Sequence, residues 1–368
     1  GKSRLACAIC LEDLFRGKHV WWVAPTFDLA KRVGWRTMTY TLKDVIRAGY
    51  ASVNKSDLTI EFRNGGLFQA KSADHPDKLV GEGLDMVIID ESGIVQESAW
   101  IESLRPSLSD KKGGAVLIGT PKGRNWFHRA YAAGLDPQQD EWRSWHFRTV
   151  DNPYIDPVEV EAARASLPER VFKQEYEAEF IDDAGMVFRG VLEATTGQPQ
   201  PPQHPGMSYV AGLDWGRSVD FTVLVIMERE TNRMVFMDRF NTIGYDVQRG
   251  HILKACQRYQ PTMIIAEENS IGAPNIEMLQ AAGLPVRPFT TTNQSKTQII
   301  NALSLAIERG TITLLDDPIL RNELLSFEME RLPSGLWRYG APSGGHDDCV
   351  MALALANHGL AGGIGIWF

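Results

Sequence analysis

Apolar residues near the start of the chain recur at helical spacing (Leu5, Ile9, Leu11, Leu14), and they are followed by an unbroken apolar run, His19-Val20-Trp21-Trp22-Val23-Ala24, stopped by Pro25. The first segment predicts a helix and the second a strand, with an amphipathic helix marked by Leu29 and Val33 after it. Leu58–Phe62 and Leu67–Ala70, separated by Arg63-Asn64-Gly65-Gly66, predict a β-hairpin. Met86-Val87-Ile88-Ile89 and Ala115-Val116-Leu117-Ile118 are short apolar runs bounded by polar residues, the pattern of strands buried on both faces, with a helix predicted near Trp100–Leu104 between them. Strands alternating with helices predict an α/β domain with a mostly parallel sheet.

Trp142–Arg148 alternates in polarity and predicts a further strand, and Val158–Leu167 and Arg170–Phe180 predict two helices. Residues 197–206 are proline-rich and lack periodicity, so they predict a linker. Beyond it, Tyr209–Asp214, Phe221–Met227 and Met234–Phe240 predict a three-stranded antiparallel meander. A helix (Val247–Cys256), a strand ending in Glu267, a helix (Asn275–Ala281), a strand (Val286–Phe289) and a helix (Lys296–Glu308) follow, and a last helix begins near Asp347. These elements predict a second, mixed sheet with flanking helices. The expected domains are 1–183, a linker at 184–207, and 208–368.

Composition changes this picture little. The chain has 368 residues, 43% of them hydrophobic, enough for two cores. The net charge of −8 argues against coating nucleic acid by bulk electrostatics, though not against a DNA enzyme whose acids gather around metal. No apolar run approaches a membrane span, and Gly1-Lys2-Ser3-Arg4 has no signal-peptide anatomy, so a soluble, cytoplasmic protein without a membrane partner is expected. The four cysteines are scattered, and Cys7 and Cys10 fall in an apolar helical pattern, as small core residues in a reducing compartment would.

The acids carry the candidate chemistry. Asp90 and Glu91 end a strand buried on both faces, at the sheet edge where open α/β sheets bind ligands; a solvated acidic turn is the alternative. Gly1-Lys2-Ser3 entering a helix matches the tail of G-x-x-x-x-G-K-[ST], in which backbone amides and a lysine hold phosphates and a hydroxyl binds Mg²⁺. In the second half Asp214 and Glu267 end strands, and Asp347-Asp348 open the last helix. Each has an ordinary alternative as a turn cap, a surface acid or a complement to the helix dipole. Together they suit a two-metal phosphodiesterase, whose ions, about 3.5–4 Å apart, need carboxylates from several elements. Asp347 shares a helical face with Val350, Met351 and Ala354 and is expected to point inward, with Asp348 about 100° around and flanking the site.

Gly1-Lys2-Ser3, Val23-Ala24-Pro25-Thr26, Ile88-Ile89-Asp90-Glu91 and Gly119-Thr120-Pro121, in this order, resemble the P-loop ATPase motor of the large terminase subunit of tailed phages. Superfamily-two helicases share much of that layout. Gly212-Leu213-Asp214-Trp215-Gly216, Ala266-Glu267-Glu268-Asn269 and Gly345-His346-Asp347-Asp348 independently resemble the ribonuclease H-like nuclease domain of the same family, and the pairing covers nearly the whole chain. The resemblance implies ATP on Gly1, Lys2 and Ser3, Mg²⁺ on Asp90, Glu91 as catalytic carboxylate and Thr120 in a motif sensing the γ-phosphate. It implies Asp214, Glu267 and Asp347 as the nuclease metal triad for Mg²⁺ or Mn²⁺, with Asp348 beside them. It further implies packaging of double-stranded DNA into a procapsid through a portal protein, cutting of the concatemer, a small terminase subunit as partner, and a homo-oligomeric ring. A repair or restriction helicase-nuclease and a scaffold with a decayed ATPase are the rival readings. Val80 stands where many relatives carry an arginine finger, and Lys78, Arg105 and Arg124 are possible substitutes. Lys111, Lys112, Lys122, Arg124 and Arg217 are candidate DNA contacts. The phosphate-binding loop is cut through at residue 1, and weak ATP binding by this chain is therefore expected.

Overall fold

The computed structural model describes the chain except residues 182–186, 203–206, 217–219, 242–243, 270–271, 332–336 and 363–368. It divides into two compact units, the first built on Gly1–Glu161 and the second on Asp183–Leu332 and the last helix. Among the described residues no helix is long and apolar enough to cross a membrane.

The first unit holds a six-stranded sheet in the order β2-β3-β4-β1-β5-β6. Its strands are β1 (His19–Ala24), β2 (Ala51–Asn54), β3 (Thr59–Phe62), β4 (Leu67–Ser72), β5 (Met86–Ile89) and β6 (Gly114–Leu117). β4, β1, β5 and β6 run parallel, and the expected hairpin pairs β3 with β4. Successive side chains of β1 enter opposite cores, because strand side chains alternate between faces. Val20, Trp22 and Ala24 join Ala6, Cys10 and Leu14 of the Lys2–Phe15 helix, while Trp21 and Val23 join Val87, Ile89 and Leu104. A run apolar at every position is the result. All four cysteines are free and buried.

Three expectations change here. The helix after β1 contains a π-helical turn, Ala30–Trp35, where Gly34 meets the Trp22 ring; a Cβ there would lie 2.6 Å from it. Trp142–Arg148 is not a strand. Among the described residues no strand pairs with it; Trp145 and Phe147 stay exposed, His146 Nε2 lies 2.7 Å from the Glu177 carbonyl, and the following Thr149 amide donates to the Tyr176 carbonyl (2.7 Å). The helix expected to reach Phe180 spans only Glu169–Glu175, because Ala178 turns left-handed (φ 52°) and swings Phe180 onto Phe127, His128 and Tyr131.

The second unit includes β7 (Thr195–Gly197) and a five-stranded sheet in the order β10-β9-β8-β11-β12. These strands are β8 (Tyr209–Asp214), β9 (Thr222–Glu228), β10 (Arg233–Phe240), β11 (Met263–Glu267) and β12 (Val286–Phe289). β8–β10 form the antiparallel meander, and β11 lies parallel between β8 and β12. The stretch 184–207 is less of a linker than its composition predicts. Val187, Phe188, Val191 and Ala194 enter this unit's core, β7 pairs with β13 (Leu314–Leu315), and the Gln200 amide donates to the Val235 carbonyl. The apolar residues ahead of the prolines outweigh the linker composition. Residues 203–206 lie outside the described residues.

One glycine sets the depth of the last helix, Asp348–Leu360. A Cβ at Gly212, in the middle of β8, would collide with the Ala352 carbonyl and the Ala356 amide, so that helix lies backbone-to-backbone on the strand. The expected result of Gly212→Val is a loss of about 3 kcal/mol or more, since a packed core resists added methyl groups. Denaturant unfolding would measure it, and an unchanged midpoint would contradict this account of the packing.

Candidate functional site

The first candidate site lies at the carboxyl ends of β5 and β6. Asp90 is buried, and its amide donates to the Val23 carbonyl (2.8 Å), which ties the acid to the neighbouring strand. Glu91 takes a left-handed conformation (φ 50°), unusual for a residue with a side chain, and its amide donates to Asp90 Oδ1 (3.0 Å). The Ser92 hydroxyl donates to the Ile89 carbonyl (2.8 Å) and the Ser92 amide to Ile118 (2.9 Å), fixing the turn. Two glycines let the turns of β5 and β6 touch: a Cβ on Gly119 would lie 3.0 Å from the Ser92 nitrogen, and one on Gly93 2.7 Å from the Thr120 carbonyl.

Lys2 bridges these turns, its Nζ 3.1 Å from Thr120 Oγ1 and 3.7 Å from Glu91 Oε1. Lys2, Asp90, Glu91 and Thr120 thus meet at one sheet edge. Gly1 caps the helix through its carbonyl, which accepts from Arg4 and Leu5 (both 3.1 Å), and Ser3 sits in the first turn. Burial, and then the Glu91 charge, push the Asp90 carboxyl above its ordinary range, while Lys2 acts against them. An ammonium and a hydroxyl beside two carboxylates at strand ends can hold a phosphate–cation pair.

The second candidate site is built by β8, β11 and the last helix. Leu213 pairs with Ala266 in the parallel ladder, so Asp214 and Glu267 come next on adjacent strands. Burial pushes Asp214 well above the usual carboxylate range, and the charges of Glu267, Asp348 and Asp347 add to the effect. The other three expected acids are therefore gathered around Asp214.

The burial of the last pair is the reverse of that expected. Asp348 is the buried one, 8% exposed; its Oδ2 accepts from the Phe221 amide (3.3 Å) and lies 3.4 Å from His346 Nδ1. Asp347 is half-buried and pairs with Lys296 Nζ at 2.9 Å. The expectation for Asp347 assumed helical geometry, but Asp347 stands before the helix (φ −128°, ψ 14°), where helical-face counting does not apply. Burial raises the Asp348 carboxyl, opposed by the Phe221 amide.

Sequence reasoning missed three neighbours: Lys296, His346 and Asp220. Asp220, His346 and Asp348 offer ligand atoms within 4.8 Å of one another. His346 directly precedes the acid pair, the only local signal for any of the three; Lys296 is 51 residues from its partner. A supporting layer holds the site. The Gly216 amide donates to Thr222 Oγ1 (3.0 Å), whose hydroxyl donates to Gln248 (2.8 Å), and the Cys349 amide donates to Glu323 (2.8 Å) beside Arg239 (3.5 Å). Glu268 turns away and accepts from the Thr290 hydroxyl. Of the candidate DNA contacts, Lys111 pairs with Asp85 (3.0 Å) and Lys122 with Glu175, and Arg217 lies outside the described residues.

This oxygen-rich set suits a hard divalent cation. A buried carboxyl facing three other carboxyls carries repulsion that such an ion would relieve.

Comparison with known proteins agrees for both units. Residues 1–194 match the family model described as terminase large subunit, T4likevirus-type, N-terminal, and residues 211–359 match that of the terminase RNaseH-like domain. The large terminase subunit of Thermus virus P23-45 is 29% identical over 399 residues, covering 97% of this chain and 82% of the relative. That of Escherichia phage T5 is 38% identical over 193 residues, covering 51% of this chain and 43% of the relative. Among solved structures, a large terminase from a thermophilic bacteriophage shares the fold, with a TM-score of 0.54 at 15% identity over 92% of this chain and 86% of that one.

Proposed function

We infer what each site does from one premise: the chain belongs to the large terminase subunit family. It is a DNA-packaging motor subunit that couples an ATPase to a nuclease that cuts the DNA. Our proposal places the ATPase in residues 1–183 and the nuclease in 208–368, with 187–200 of the intervening 184–207 joined to the nuclease core.

At the first site Lys2 would hold the β- and γ-phosphates of ATP, Ser3 and Asp90 the accompanying Mg²⁺, and Glu91 would orient the attacking water. Thr120, at 3.1 Å from Lys2 Nζ, would register loss of the γ-phosphate. Glu91 and Lys2 already approach to 3.7 Å, so nucleotide entering between them would meet both charges.

At the second site Asp214, Glu267, Asp347 and Asp348 would hold two divalent ions, Mg²⁺ or Mn²⁺. Such ions, when bound, supply an activated water and neutralise the leaving oxygen of a phosphodiester. The observation that carries this reading is the meeting of Asp214 and Glu267 on neighbouring strand ends with the acid pair at the start of the last helix. The substrate is double-stranded DNA, with a portal protein, a procapsid and a small terminase subunit as partners and a homo-oligomeric ring as the working state.

Metal dependence tests the nuclease assignment. Protein stripped with chelator should leave a supercoiled plasmid intact, and Mg²⁺ or Mn²⁺ in the millimolar range should restore cutting. Plasmid that stays intact in both metals would remove the nuclease from the proposal.

A further inference from the structure

We propose that Lys296 is a resident counter-cation of the acidic site, which competes with divalent metal for Asp347 and so holds down the metal affinity of the free protein. The inference rests on the nuclease reading above. Lys296 lies in the first turn of the Asn293–Glu308 helix, whose start is fixed by the Thr292 and Ser295 hydroxyls and amides in a reciprocal cap. Its Nζ is 2.9 Å from Asp347 Oδ2, and the side chains are 21% and 28% exposed, so the pair is half-shielded from water. The ammonium also lies 5.9 Å from the centre of the Phe327 ring, itself 1% exposed, so the side chain is backed by core on one side.

Among the described residues, the positive groups that face the four acids are Lys296 and, when protonated, His346 at 3.4 Å from Asp348. The lone pair of Asp347 Oδ2 that accepts from the ammonium is not free to ligate, and an ion on the remaining lone pairs sits close to the lysine charge. A divalent ion taking Asp347 must therefore displace Lys296 or sit beside it, and the repulsion between them is doubled by the charge of the ion. Lys296 also orders Asp347, which favours binding. Fixing one short side chain is the smaller effect, because the rotamer entropy of an aspartate is modest next to charge repulsion at a few ångströms. Removal of the charge should thus tighten binding.

The measurement is calorimetric titration of MnCl₂ into the full chain without DNA. Lys296→Met keeps the aliphatic stem and is expected to lower the dissociation constant about tenfold. Lys296→Arg keeps the charge and should stay within about twofold of the parent. Lys296→Gln is the second uncharged variant, should the methionine protein not fold, and should also tighten binding. Asp214→Asn identifies the heat that belongs to this site, which it should abolish. If that heat is lost in Asp214→Asn and the uncharged Lys296 variants bind Mn²⁺ no more tightly than the parent, the role of Lys296 falls and the nuclease reading stands. If Asp214→Asn leaves the titration unchanged, the metal site itself is misplaced.

Discussion

Asp214→Asn is expected to reduce DNA cleavage by roughly 1,000-fold or more, because a site that needs several converging carboxylates loses its central one. ATP turnover should be unaffected, since Asp214 belongs to the second unit and the Lys2–Glu91 cluster to the first. Plasmid cutting and phosphate release, assayed on the same preparation, read the two outcomes. Loss of both activities together would mean that the two sites are not separate. The variant has a second consequence, in stability. A carboxyl held above its unfolded pKa binds its proton more tightly in the folded state. It therefore subtracts stability above its folded pKa, and the subtraction fades as pH falls through that value. Burial and the neighbouring acids hold Asp214 in this condition. Without metal, Asp214→Asn should melt above the parent at about pH 8, and the gap should narrow as pH is lowered toward about 5. A gap that widens on acidification would contradict the raised carboxyl.

Glu91→Gln is the counterpart in the motor. ATP turnover should fall by about 100- to 10,000-fold, the range for removing a positioned acid–base group. Cleavage of plasmid should persist. The amide keeps the size and the left-handed backbone of Glu91, so the turn bound to Ile118 and Ile89 stays in place. The ion pair lost with Lys2 spans 3.7 Å between partly exposed groups and contributes little to folding. Nucleotide affinity should therefore change much less than turnover, and a fluorescent ATP analogue would separate the two. Turnover equal to that of the parent would transfer the hydrolytic role away from Glu91.

Local patterning made much of the framework legible. β1, β5, β8, β9 and β11 are buried runs whose apolar residues serve cores on both sheet faces, and Asp90, Asp214 and Glu267 stand where such a run stops; β6, apolar in sequence, is the edge strand and stays partly exposed. Burial of a charge is costly enough that this position has chemical meaning before any coordinates are known. Where a segment lacked a partner, the same reasoning failed. Trp142–Arg148 alternates like a strand and has no ladder beside it among the described residues, and 184–207 reads as a linker by its prolines while Val187, Phe188 and Val191 are drawn into a core.

The sequence by itself determined the strand ends, the order of the acids and the glycines that let backbones meet, because periodicity and turn chemistry act over a few residues. Tertiary structure decided which acid is buried and what stands against it. The last helix settles on β8 at the depth allowed by Gly212, Asp348 takes the Phe221 amide, and Asp347, outside the helix, meets Lys296 from 51 positions away. Contacts of that range depend on strand register and helix docking, which no local pattern encodes.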